Sequence, residues 1–129
     1  MKRTVLALAI AAVSATTMGL TSQAAAHHSA AMFDFRAPKT LKGTVKQVLI
    51  KNPHTHMTLT ITDTKGTRDW TFEGHSASNF FRAGYTNGLV KAGDQLTITI
   101  APMRDGSDGG YIVSFTAPNG TKVGFSQPG

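Results

Sequence analysis

From residue 41 onward apolar and polar residues alternate with a period of two between short polar turns, the pattern of half-buried β-strands. Leu41, Gly43 and Val45 share one parity, whereas Val48 and Ile50 share the other. Strand one is therefore expected over 41–50, with a β-bulge at the phase slip near Lys46-Gln47. Asn52-Pro53 ends it. The run 56–62 (HMTLTIT) puts Met57, Leu59 and Ile61 on one face and His56, Thr58, Thr60 and Thr62 on the other. A turn at 63–66 leads to strand three, 68–73, where Trp70 and Phe72 share a face. The segment 76–83 (SASNFFRA) reads as a helix, with Ser76 or Ser78 as its cap and Gly84 as its stop. After a tight connection at 89–94 come strand four over 95–101, a glycine-rich loop at 105–110 and strand five over 111–115. Val123 and Phe125 in the tail suit an added edge strand.

The order is β-β-β-α-β-β. Such a mainly β chain is expected to close into a small five-stranded OB-like barrel, with one short helix between strands three and four. An open five-stranded sheet with the helix on its face is the rival arrangement. Leu59, Ile61, Trp70, Phe72, Leu96, Ile98 and Ile100 are the expected core.

The first 26 residues follow a different logic. Lys2 and Arg3 precede an apolar run at 5–13, and small residues ending in Ala24-Ala25-Ala26 follow. That order of zones is expected of a secretory signal peptide, with cleavage before His27. The apolar run falls short of the roughly 20 residues a spanning helix needs. Export to the periplasm is the expectation, with no transmembrane segment after cleavage. Residues 27–40 are a polar-aromatic lead-in without a clear period, and 41–129 form one domain. Without Lys2 and Arg3, 11 basic and 7 acidic residues remain, scattered singly. The chain has no cysteine, so disulfides and thiol chemistry are excluded.

Four of the five histidines fall in two pairs. His27 and His28 stand at the expected mature N-terminus, where a free α-amine and an imidazole can chelate one metal. His54 and His56, in Asn52-Pro53-His54-Thr55-His56-Met57, are two residues apart on an extended segment and can face one ion. The plain alternative makes His54 a turn cap and His56 a solvated strand residue. Met57 points to the core and is not taken as a ligand. His75 follows Glu73 by two residues, either as a ligand with its neighbour or as a surface ion pair. A nitrogen-rich, thiolate-free set suits copper(II), the peak of the divalent affinity series.

Nucleophile-elbow, zincin and phosphate-loop motifs are missing, so the expectation is a binding protein and not an enzyme. Most aromatics fall on the buried face or in the helix, which argues against nucleic acid as the partner. The leading expectation is a monomeric periplasmic copper(II)-binding protein using His27, His28, His54 and His56. The alternative is a non-metal module that grips a periplasmic protein, glycan or envelope component.

Several motifs recur together: His27-His28-Ser29, Asn52-Pro53-His54, Trp70-Thr71-Phe72-Glu73, Gly84-Tyr85-Thr86, Leu89-Val90-Lys91-Ala92-Gly93-Asp94 and Pro102-Met103-Arg104-Asp105-Gly106-Ser107. In this ordered set the chain resembles a family of short exported bacterial proteins of unknown function. In that pattern a Phe often follows the first motif and a Trp often precedes the second; this chain has Ala30 and Ile50 near those places. The resemblance implies export and a small β-barrel fold, and it carries no activity.

Overall fold

The computed structural model describes residues 30–126. The expected signal peptide and the His27-His28 pair lie outside the described residues. Six strands and one helix follow in order: β1 (Lys39–Leu49), β2 (His56–Asp63), β3 (Gly66–Glu73), α1 (Ala77–Arg82), β4 (Gln95–Pro102), β5 (Gly110–Thr116) and β6 (Lys122–Gly124). The strands form one sheet in the order β3-β2-β1-β4-β5-β6, antiparallel throughout that order. A parallel pairing of Phe72 with Gly110 and Glu73 with Tyr111 joins β3 to β5, so five strands make a closed ring of hydrogen bonds.

The fold is mainly β with one short helix between strands three and four, as the alternation predicts. The register of β1 against β2 shifts between Val45 and Gln47, which is the bulge expected from the phase slip. That extra residue lets Val45 and Val48 both serve the core despite their opposite parity. The added edge strand is β6, paired with β5 through Phe115 and Val123. β1 starts at Lys39, two residues before the alternation becomes visible, because Lys39 and Thr40 pair with Ile100 and Thr99 of β4.

Inside the ring, Met57, Leu59, Phe72, Ile98, Ile100 and Ile112 are fully buried. α1 has only six residues and would not hold as an isolated helix. Ser76 caps it by accepting a hydrogen bond from the Asn79 backbone N–H at 3.4 Å. Phe80 anchors it: its ring is buried, with centroids 4.6 Å from Phe125, 5.9 Å from Tyr85 and 6.2 Å from Phe115. Trp70 departs from the expected core. It packs against the core cluster but is only partly buried, with its face under the Arg68 guanidinium at 5.3 Å and its Nε1 unpartnered.

The lead-in, which shows no period, is nonetheless docked. Phe33 forms an antiparallel bridge with Met103, and Asp34 N–H donates to the Pro102 carbonyl at 2.8 Å. Phe33 is 3% exposed and joins Ala101 and Tyr111 in a second apolar cluster outside the ring.

Closure depends on two positions without side chains. A Cβ on Gly110 would lie 2.6 Å from the Ala101 carbonyl oxygen and 2.7 Å from Ile100 Cδ1. At Gly109 (φ +121°) a Cβ would meet the Thr71 carbonyl oxygen at 2.9 Å. Arg68 ties the same region from outside. Its guanidinium grips Asp63 through Nη1 at 2.8 Å and Nη2 at 3.0 Å, and it also holds Asp108 through Nε and Nη2. The Arg68 bond and the Lys65 backbone N–H hold the Asp63 carboxyl down at about 2.

Phe72→Ala is expected to lower the unfolding free energy by about 3–5 kcal/mol, the usual range for emptying a buried Phe site. Phe81→Ala, at a 47% exposed position, should change it by no more than about 0.5 kcal/mol. Urea unfolding followed by the fluorescence of Trp70, the single tryptophan, measures both.

Candidate functional site

The outer face of the β2–β3 pair carries the candidate chemistry. Register places His56 opposite Glu73, Thr58 opposite Thr71, Thr60 opposite Asp69 and Thr62 opposite Thr67. The last three pairs bond to each other across the strands, with oxygen–oxygen distances of 3.1, 2.8 and 2.8 Å. Such pairs are the ordinary stabilising units of a sheet face. Asp69 is taken further by Lys46 from β1, and these bonds from Lys46 and Thr60 hold its carboxyl below the usual range. His56 and Glu73 break the row. His56 Nδ1 is buried and has no hydrogen-bond partner, while the Glu73 carboxylate turns to His54 Nδ1 at 3.4 Å.

The structure thus brings His54 to the Glu73 carboxylate, while His56 faces Glu73 only in strand register. His54 Nδ1 also lies 3.2 Å from the Gly74 carbonyl oxygen. Thr55 between them is fully buried, and its backbone extends the ladder: Thr55 N–H donates to His75 O at 3.0 Å and Gly74 N–H to Thr55 O at 2.8 Å. The loop before it is tied to α1, since Ala77 N–H donates to the Lys51 carbonyl and to Asn52 Oδ1, both at 3.1 Å. The Asn52–Pro53 peptide is cis. His54 thus contacts Gly74 and Glu73, and His56 is partly buried and not freely solvated.

His75 does not join Glu73. β3 ends at Glu73, and Gly74 after it is buried against α1, where a Cβ would sit 3.1 Å from the Phe80 ring. His75 instead faces an aromatic group, with ring centroids 5.0 Å from Phe125 and 5.3 Å from Tyr111. Its Nε2 lies 3.2 Å from the Ser126 carbonyl oxygen. Burial pushes its pKa below the ordinary 6.5, the Ser126 contact opposes this, and the nearby His54 lowers it further. Tyr111 is pushed up to about 12 by burial and by the negative charge of Glu73.

A cleft of about 250 Å³ opens beside His56 and Glu73. Its other walls include Met32, Phe33, Met103 and Asp108, and Gly109 and Gly110 complete it. The sequence does not bring Met32, Phe33 and Met103 to this place. Their convergence follows from the Phe33–Met103 bridge, and the only local hint is the alternate aromatic pair Phe33 and Phe35 in the lead-in. Met57 is fully buried, in agreement with its assignment to the core. Among the described residues, no three His, Cys, Asp or Glu side chains come together in a group that could hold a metal ion. Also among the described residues, no helix is long and apolar enough to cross a membrane.

A family model of unknown function, DUF6152, matches residues 15–112. The chain belongs to the DUF6152 family. The resemblance carried by the spaced motifs is thereby shown, and the family contributes no activity. No curated protein and no solved structure gives a match.

His75 generates a pH dependence. Its folded pKa lies below its unfolded value, so the unfolded chain takes up the proton first. Its contribution to stability is complete above about 6.5 and is lost as pH falls from there through the lower folded value. In chelator-treated protein, urea midpoints should therefore drop on acidification below pH about 6.5, and the drop should shrink in His75→Gln.

Proposed function

We propose that this is an exported binding protein that takes up copper(II) through histidine nitrogens. The observation that carries the reading is the broken row on the β2–β3 face. His54 and His56 flank Glu73, and His56 Nδ1 is buried without a partner. A buried imidazole nitrogen left unpaired costs free energy, and ligation of a cation would remove that cost. Glu73 contacts His54 as a carboxylate commonly contacts a ligating imidazole, fixing its tautomer and orientation.

Two imidazoles make only a partial set for copper(II). The remaining donors in this reading are the α-amine and imidazoles of His27 and His28, exposed by cleavage before His27. Met32 lines the same cleft as His56, and His28 precedes it by four residues, a length of chain that covers at most about 14 Å. Nitrogen donors of this kind suit copper(II) above the other divalent ions of its row. The work of the protein is then to hold or hand over an ion outside the cytoplasm, with no bond-making step.

Protein beginning at His27 should bind copper(II), read by spin resonance and visible absorbance. Uptake should fall by about tenfold or more in the His54→Ala, His56→Ala double variant, or when one residue is added before His27. It should also fall as pH drops through about 6.5, because a protonated imidazole cannot ligate. If neither change weakens uptake, the imidazole reading fails. Salt-sensitive, chelator-resistant retention of an envelope component would then favour the non-metal module.

A further inference from the structure

The cleft beside His56 contains two sulfur donors that the histidine reading leaves unused. Met32 and Met103 both line it, with His56 and Glu73. Two backbone bonds fix the methionines' segments side by side: Arg104 N–H donates to the Met32 carbonyl at 2.9 Å, and Asp34 N–H to the Pro102 carbonyl at 2.8 Å. A third link runs from Arg104 Nε to the Ala31 carbonyl at 2.9 Å. The lead-in is thus pinned to the end of β4 on both sides of the Phe33–Met103 bridge. Met103 is partly buried against Phe33, whereas Met32 is 51% exposed although Phe33 next to it is 3% exposed. A flexible, polarizable thioether is therefore left free at the cleft while its neighbour anchors the backbone.

We propose that Met32, Met103 and His56 form a copper(I) site in this cleft. Thioethers are soft, neutral ligands that select copper(I) over harder ions. His56 lines the same cleft, and its imidazole, with Nδ1 buried and unpartnered, is the nitrogen ligand of this set. The set is uncharged, and Glu73 in the same cleft offers a negative charge near a monovalent cation. Asp108 is already bound to Arg68 and adds little to that balance. Thr71, Gly109 and Gly110 form small walls, which leave room for the two long side chains to move onto an ion. The proposal rests on the copper reading only through the shared His56; its sulfur donors are independent of the N-terminal amine.

The test is anaerobic titration of the full mature chain with copper(I), supplied as its acetonitrile complex and competed with bicinchoninate. X-ray absorption at the copper edge then reads the ligands. The wild-type protein should take up copper(I) with sulfur in its first coordination shell. M32L and M103L, which keep volume and apolar character, should fold normally, and each should weaken copper(I) by about tenfold or more. Both should leave copper(II) uptake unchanged. Absence of copper(I) uptake, a copper edge without sulfur, or wild-type affinity in both leucine variants overturns the site. If copper(II) uptake fails while methionine-dependent copper(I) uptake stands, the imidazole reading falls and this site survives.

Discussion

Two backbone pairs between β3 and β5, Phe72 with Gly110 and Glu73 with Tyr111, turn a sheet into a ring. Much of the structure depends on that closure. It brings the Phe72 and Ile112 side chains into one interior and gives α1 a cavity for Phe80. It also brings the loop before β5 against Thr71 and Glu73, and so creates the cleft beside His56. The approach is close enough that only glycine fits at Gly110, where any Cβ would collide with both the Ala101 carbonyl and Ile100. The Asp105–Gly110 stretch, which reads only as a glycine-rich loop in the sequence, is therefore the contact on which ring and cleft both rest.

The division of labour between the faces of β2 follows from the same geometry. Its odd-numbered residues Met57, Leu59 and Ile61 fill the ring, and its even-numbered residues meet β3 on the outside. Three of the four outer pairs satisfy each other, and the pair at the closed end does not. Polar groups left unpaired inside folded proteins are few, and each calls for a reason. At His56 the reason proposed is a bound ion, and Met32 and Met103 line the same cleft.

The alternation of apolar residues made strands, bulge and helix legible, because each depends on local periodicity. The shift between Val45 and Gln47 is visible as a change of parity before any partner strand is known. What could not be read depends on contacts remote in sequence. Trp70 shares parity with Phe72, yet it is only partly covered, since β5 reaches β3 only at Phe72 and Glu73. Phe33 looks like part of an irregular tail until Met103 is placed opposite it. Glu73 reads as the partner of His75 by spacing, but its carboxylate contacts His54, while His75 packs among aromatic rings. The spacing of His54 and His56 puts both outside the buried Thr55, because alternate residues of an extended segment share a side.

The ring is joined along only part of β3. Beyond Phe72 the strand from Gly66 to Thr71 has β2 on one side and, among the described residues, no strand on the other, while β5 has turned to β6. A bare strand margin of that kind invites a second chain to add itself by backbone hydrogen bonds. Here Arg68 lies across that margin, fastened to Asp63 at the turn and to Asp108 on the opposite loop. A neighbouring strand would have to displace a charged arm held at both ends before it could zip on. The same three side chains that look like ordinary surface ion pairs thus stand over a seam, a charged barrier against strand addition in a chain with no disulfide to brace it.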